Sequence, residues 1–256
     1  MKLIVTLFVV GIINISADLK PSKGFAVPDK YLAGDWDGDG KDNIAVRRNN
    51  EILMDFNFDP AADKVFKFGN GNSEDQYLVG DWDGDRIDNI AVRRSNEIIM
   101  DFNFDGVADK SFKFGNGNSE DQYLVGDWDG DGTDNIAVRR GNEIIMDFNF
   151  DGVADKTFLF GNGNKEAEYF AGDWDGDKID NIAVRRGNEI IMDFNFDGVA
   201  DKSYKFGNGN AENQYLIGDW DGDKTDDIAI RRNNDLFLNA HFNATEVKVY
   251  RYGNGN

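Results

Sequence analysis

The feature that most constrains this chain is a repeat. Tyr31, Tyr77, Tyr123, Tyr169 and Tyr215 are spaced by 46 residues, and each stands four residues before an Asp-Trp-Asp-Gly-Asp run. Tyr77–Gln122 and Tyr123–Glu168 differ at only eight of 46 positions. Self-similarity on this scale restricts a chain to stacked copies of one supersecondary unit, each burying its apolar faces on its neighbours. The units run 31–76, 77–122, 123–168, 169–214 and 215–256.

The third copy parses into four short strands. Tyr123-Leu124-Val125-Gly126 is a brief apolar run, followed by a loop of Asp and Gly. Asn135-Ile136-Ala137-Val138-Arg139 alternates, and Arg140-Gly141-Asn142-Glu143 reads as a tight hairpin turn. Glu143–Phe148 is the third strand, a second acidic loop covers Asn149–Asp155, and Thr157–Phe160 is the fourth. No helical period of comparable length appears. Four strands in about 46 residues is the pattern of one propeller blade. The sequence therefore predicts an all-β, five-bladed β-propeller of 46-residue four-stranded repeats. The alternatives are an open β-solenoid, or part of a larger ring completed by oligomerisation. Lys23–Val27, in the lead-in 18–30, is the candidate closing strand. An up-down-up-down order puts both acidic loops of every unit on one face, and the Arg hairpins and Gly-Asn-Gly-Asn connectors on the other.

The first loop reads D-x-D-x-D-G-x-D-N over Asp35–Asn43. Carboxylates at positions one, three and five converge on one ion when such a loop curls, and position nine adds an oxygen. The predicted ligand sets are Asp35/Asp37/Asp39/Asn43, Asp81/Asp83/Asp85/Asn89, Asp127/Asp129/Asp131/Asn135, Asp173/Asp175/Asp177/Asn181 and Asp219/Asp221/Asp223/Asp227. Position six is Gly40 or Gly132 in two copies but Arg86, Lys178 or Lys224 in three, where a positive φ carries a cost. Position eight, Asp42 and its equivalents, is expected to point away from the ion. The second loop, D-F-N-F-D-G-V-A-D, supplies Asp101/Asn103/Asp105/Asp109, Asp147/Asn149/Asp151/Asp155 and Asp193/Asn195/Asp197/Asp201. Its first copy, Asp55/Asn57/Asp59/Asp63, has Pro60 at the glycine position, and its last has decayed to Asn239, His241 and Asn243. All ligands are hard oxygens, which predicts calcium over zinc or iron, and magnesium is disfavoured because it keeps its waters and rarely takes all-protein cages. The blander reading of any one loop is a solvated turn, and fixed-register repetition argues against it. About eight Ca²⁺ would bring 8 × 2 = 16 positive charges against a formal charge of -20. That charge has the wrong sign for nucleic acid. The chain has no cysteine, so neither disulfides nor thiolate chemistry is available.

These residues resemble the FG-GAP/VCBS repeat family, whose signature is similar to G-D-[FW]-[DN]-G-D-G-x-D-[DN]-[LI]-A-[VI]. The resemblance lies in Gly34–Val46, Gly80–Val92, Gly126–Val138, Gly172–Val184 and Gly218–Ile230. It implies an extracellular calcium-binding propeller, as in integrin α-subunits and a calcium-containing fungal lectin. The chain departs from the family in blade number and in its shorter unit.

Residues 1–17 read as a signal peptide, with Lys2, an apolar run from Leu3 to Ile13, and small residues at Ser16-Ala17. The run is too short to span a bilayer, so a secreted protein with no membrane span in the mature chain is expected. Asn243-Ala244-Thr245 matches a glycosylation acceptor. Near-identical blades suit multivalent binding of a repetitive partner, and carbohydrate is the first expectation. Candidate contacts are Trp36, Trp82, Trp128, Trp174 and Trp220, with Arg93, Arg94, Arg139 and Arg140. The competing reading of both sets is packing and inter-blade bridging. The alternative function is a calcium-rigidified structural or adhesion protein that binds other extracellular proteins or matrix. A glycosidase ranks third, because an active site needs carboxylates in distinct environments and these are replicated.

Overall fold

The computed structural model describes residues 29–239 and 247–253. Residues 1–17, Lys23–Val27, His241 and Asn243 lie outside the described residues. Blade one comprises β1 (Lys30–Gly34), β2 (Asn43–Arg48), β3 (Glu51–Asp55) and β4 (Lys64–Lys67). Blade two comprises β5 (Gln76–Gly80), β6 (Asn89–Arg94), β7 (Glu97–Asp101) and β8 (Lys110–Lys113). Blade three comprises β9 (Gln122–Gly126), β10 (Asn135–Arg140), β11 (Glu143–Asp147) and β12 (Lys156–Leu159). Blade four comprises β13 (Glu168–Gly172), β14 (Asn181–Arg186), β15 (Glu189–Asp193) and β16 (Lys202–Lys205). Blade five comprises β17 (Gln214–Gly218), β18 (Asp227–Arg232), β19 (Asp235–Asn239) and β20 (Val247–Arg251). Each blade is an antiparallel sheet with its strands in chain order. The five-bladed propeller expected from the repeat is the fold.

The chemistry of each strand follows from its radial position. The second strand, as in Ile136-Ala137-Val138, is buried on both faces because a neighbouring blade covers each side. The third strand alternates, burying Ile144 and Met146. The fourth is the outer edge and is exposed, and Lys110 and Lys113 flank it in blade two. Charges on such an edge oppose pairing with another chain. The fourth strand of blade three begins at Lys156, one residue earlier than the sequence suggests, and ends at Leu159. Phe160 leaves the ladder, donates its N–H to the Asn142 carbonyl at 2.8 Å and buries its ring.

The apolar clusters lie between blades. Trp82, Ile98 and Met100 of blade two pack with Tyr123, Ile136 and Val138 of blade three. The same arrangement joins blade five to blade one through Leu216, Trp220, Tyr31 and Val46. First strands sit side by side around the axis, with β1 between β5 and β17. The closing joint repeats the other four. The Asp42 N–H donates to the Asp219 carbonyl at 2.9 Å, as Asp88 does to Asp35. Arg231 stacks on Tyr31 at 4.4 Å, as Arg93 does on Tyr123. The ring thus closes within one chain without strand exchange, because every described blade is built from contiguous residues.

Candidate functional site

The first acidic loop curls around its leading aspartate. Asp35 Oδ1 accepts the N–H groups of Gly38 at 2.8 Å and Asp39 at 3.1 Å, and its Oδ2 accepts that of Gly40 at 2.8 Å. Asp39 Oδ1 accepts the Lys41 N–H at 2.9 Å. This folding turns carboxylates at alternate positions inward. The triads Asp35/Asp37/Asp39, Asp81/Asp83/Asp85, Asp127/Asp129/Asp131 and Asp173/Asp175/Asp177 each bring carboxylate oxygens within 4.8 Å of one another. Position six takes the left-handed conformation whatever its side chain: φ is 84° at Gly40, 72° at Arg86, 76° at Lys178 and 73° at Lys224. The Arg86 N–H still reaches Asp81 Oδ2 at 2.7 Å, so loop closure prevails over the cost of a positive φ.

Blade five groups a different set of acids from the other four. There the grouped carboxylates are Asp219, Asp221 and Asp227, and Asp223 is not among them. Asp223 Oδ1 accepts both the N–H of Thr225 at 2.9 Å and its hydroxyl at 2.6 Å. Position nine in this blade is Asp227 rather than asparagine, and that buried acid completes the group.

Position nine carries the most informative atoms. Asn43, Asn89 and Asn135 are at most 2% exposed, and the Oδ1 of each has no hydrogen-bond partner. The amide is held by its other end: Nδ2 donates to the Phe56 carbonyl at 3.0 Å in blade one and to the Phe102 carbonyl at 3.1 Å in blade two. In blade four, Asn181 Oδ1 accepts the Trp174 N–H in a long bond of 3.3 Å. A buried carbonyl oxygen without a donor costs about 1–3 kcal/mol unless something electropositive meets it. Burial raises the pKa of Asp35 and Asp127, against the pull of the backbone donors. Clustered carboxylates in this setting can chelate a divalent cation.

The second loops fold by similar hydrogen bonds. In blade two, Asp101 Oδ2 accepts the Gly106 N–H, Asp105 Oδ1 that of Val107 and Asp109 Oδ2 that of Phe102, each at 2.8 Å. In blade three, Asp147 Oδ2 accepts the Gly152 N–H at 2.8 Å and Asn149 Oδ1 that of Asp151 at 2.9 Å. There Asp151 Oδ1 accepts the Val153 N–H at 2.7 Å, and Asp155 Oδ2 that of Phe148 at 2.8 Å. In blade four, Asp193 Oδ2 accepts the Gly198 N–H at 2.8 Å and Asn195 Oδ1 that of Asp197 at 3.0 Å. There Asp197 Oδ1 accepts the Val199 N–H and Asp201 Oδ2 that of Phe194, both at 2.8 Å.

None of these three sets brings three carboxylates as close together as the first loops do, among the described residues. Asn103, Asn149 and Asn195 stand at position three, so each of these loops offers an amide oxygen where the first loops offer a carboxylate, and the acid at position nine accepts the backbone N–H of position two. In blade one Pro60 has no N–H to give, and Asp55 Oδ2 instead accepts the Tyr250 hydroxyl of blade five at 2.5 Å.

The candidate ligand-contact residues sit in the joints between blades. Trp36, Trp82, Trp128, Trp174 and Trp220 are all buried. The Trp82 ring meets Phe150 of the next blade edge-on at 6.3 Å, and Trp128 meets Phe196 at 6.4 Å. These rings are packing, not a surface for a ligand to stack on. Arg93 and Arg139 stack on Tyr123 and Tyr169 at 4.4 and 4.6 Å. They also donate to the carbonyls of Asn118 and Asn164 at 2.9 and 2.7 Å. Arg94 and Arg140 hold the buried carboxylates of Asp75 and Asp121 at 3.1 and 2.8 Å.

Asp42, Asp88, Asp134, Asp180 and Asp226 turn towards the axis rather than merely away from the loops, and line a cavity of about 230 Å³. Each holds the neighbouring blade: Asp88 Oδ2 accepts the Asp35 N–H at 2.8 Å, and Asp42 Oδ2 accepts that of Asp219 at 2.7 Å. Burial is the main cause that raises their pKa values, to about 7 for Asp88 and Asp226. The sequence signal for this ring is one further acid per repeat, immediately before the first residue of the second strand.

No family model matches the chain. No curated protein matches it either. Among solved structures it is similar to a lectin of Agrocybe aegerita described as recognising non-reducing terminal N-acetylglucosamine. The identity is 15%, with 87% of this chain and 80% of that one covered and a TM-score of 0.49. It is also similar to a protein of unknown function from Bacteroides caccae, at 12% identity, 88% and 73% coverage and a TM-score of 0.45. The Neurospora crassa Pan2 WD40 domain aligns at 10% identity, 89% and 79% coverage and a TM-score of 0.42.

Proposed function

We propose that this chain is a secreted, non-catalytic calcium-binding propeller of the FG-GAP/VCBS type, acting as a multivalent binding module for carbohydrate. The observation that carries the metal reading is the orphaned, buried Oδ1 of Asn43, Asn89 and Asn135 at the end of the loops that gather each Asp triad. Asp35, Asp37, Asp39 and Asn43 would hold one ion, and the equivalent residues of the next three blades one each. In blade five the set would be Asp219, Asp221 and Asp227. Hard oxygens and clustered negative charge favour Ca²⁺ over softer metals. The bound ion would neutralise its triad and tie the loop to the start of the second strand.

The non-catalytic reading rests on replication. Every carboxylate of the first loops has counterparts in matching environments, whereas acid–base chemistry needs two groups held apart in pKa. The secreted reading rests on the pattern of residues 1–17. No helix among the described residues is long and apolar enough to cross a membrane. Carbohydrate is the proposed partner because five nearly equivalent blades offer weak sites at fixed spacing to a repetitive ligand.

A glycan array probed with residues 18–256 in calcium and in EGTA tests this. Glycan binding that EGTA abolishes is the expected result. Calcium-dependent folding with no glycan bound would reject the carbohydrate partner and favour the adhesive alternative.

A further inference from the structure

Two blades depart from the pattern of the other three, and blade four departs further. In blades one to three, the residue two before the repeat tyrosine is Asp29, Asp75 or Asp121, and its carboxylate grips Arg48, Arg94 or Arg140. In blade five the buried Asn213 fills the place. In blade four that residue is Ala167. The backbone path is unchanged, since Ala167 donates its N–H to the Asn164 carbonyl at 3.0 Å as Asp121 does to Asn118 at 3.3 Å. Only the polar side chain is missing. The next residue has gained a carboxylate: Glu168 stands where Gln76 and Gln122 stand elsewhere, and it pairs with Arg185 at 2.8 Å. Arg186 is left with no ion pair among the described residues. It is exposed, whereas Arg48, Arg94 and Arg140 are half-buried.

The missing side chain leaves space. A cavity of about 290 Å³ opens beside Arg186, lined also by Ala167, Asn164, Gly187, Gly209 and Ala211. Ala211 adds to the opening, because Ser119 and Lys165 occupy the same place in the preceding connectors. Glu166 and Arg185 also line it, and Glu166 forms no ion pair with Arg186. A guanidinium fork is thus presented to a pocket from which its carboxylate has been removed, and carboxylate is the group that a fork binds with two parallel hydrogen bonds.

We propose that blade four carries a single site for a ligand carboxylate, held by Arg186 in the space that an aspartate fills in blades one to three. Combined with the carbohydrate reading above, on which this extension rests, the ligand class is a uronic acid. One such site among five similar blades would make one blade selective for acidic sugars.

The test is a titration of the calcium-loaded chain with glucuronate, glucose and acetate, followed by the NMR signal of the Arg186 Nε–H group. Glucuronate is expected to shift that signal with one-to-one stoichiometry, and glucose is not. Ala167→Asp restores the internal ion pair, so it should fold normally and weaken glucuronate binding at least tenfold. Asp121→Ala with Gln122→Glu should create a second site at Arg140. If acetate binds as well as glucuronate, and Ala167→Asp blocks both, the carboxylate site stands and the uronic acid assignment falls. Failure of glucuronate and acetate to bind, or equal binding to wild type and Ala167→Asp, overturns the proposal.

Discussion

Replacing Asn89 by leucine separates a metal ligand from a structural amide. Leucine has nearly the same size, so packing changes little. In the calcium-free protein the substitution removes the bond from Nδ2 to the Phe102 carbonyl, worth about 1 kcal/mol net, and leaves that carbonyl short of a donor. It also removes the orphaned Oδ1, whose burial costs about 1–3 kcal/mol. The two effects oppose each other, and the net change in EGTA should be within about 1 kcal/mol. In calcium the variant loses a ligand. A loss of about 10- to 100-fold in affinity removes roughly 1.4–2.8 kcal/mol of ligand-linked stability. For a domain of this size that is a fall of about 3–10 °C in Tm. The assay is paired thermal melts of wild type and Asn89→Leu in saturating calcium and in EGTA. Equal losses under both conditions would refute the reasoning and make Asn89 a purely structural amide.

Three further outcomes are expected. Arg86→Gly relieves a positive φ of 72°. It should raise Tm by about 1–2 °C, since a left-handed penalty of about 1 kcal/mol exceeds the added glycine entropy of about 0.5; a fall would mean that the Arg86 side chain contributes. Asp75→Ala strands Arg94, whose partner carboxylate is 4% exposed while the arginine is 33% exposed. The loss should be about 1–2 kcal/mol in urea unfolding, below the full buried-pair figure because solvent screens the arginine, and no loss would remove the ion pair from the account. The third outcome concerns pH. Asp88 and Asp226 have folded-state values raised to about 7 from 3.8, so between those limits the folded chain binds more protons than the unfolded one. Stability of the calcium-free protein should therefore fall as pH rises from about 4 to about 7. In calcium the slope should flatten or reverse, because protons compete with metal for the loop carboxylates. Melts across pH with and without EGTA check both signs.

Much of the architecture was legible because each strand is bounded by residues with strong local preferences. The Asp-Gly loops fix where strands one and three end, and two-residue turns such as Gly141-Asn142 fix the hairpin between two and three. The triad geometry was legible for the same reason, since Asp35 and Asp39 bond to N–H groups within five residues. Spacing alone did not separate the two loop types, because Asp151 and Asp197 occupy the ligand register of Asp39 while an asparagine stands at position three. Asp223 also keeps that register, and the difference in blade five is the acid at position nine, Asp227, where the other blades carry asparagine. What joins one blade to the next was not legible. Asp42 reads locally as an acid outside the ligand set, but its role comes from Asp219, which is 177 residues away. The buried tryptophans and the stacked arginines carried two readings until neighbouring blades were placed beside them. Blade four is the sharpest case. Ala167 and Glu168 are plain in the sequence, but their effect appears only when Arg185 is seen to pair with Glu168 while Arg186 has no ion pair among the described residues.

The central claim is that the Asp loops hold calcium and that calcium holds the ring. The most direct measurement is metal content per chain, determined alongside a thermal melt before and after EGTA. The account predicts at least one ion for each first loop and a large fall in Tm when metal is stripped. A chain that carries no stoichiometric calcium and melts at the same temperature in EGTA would contradict it.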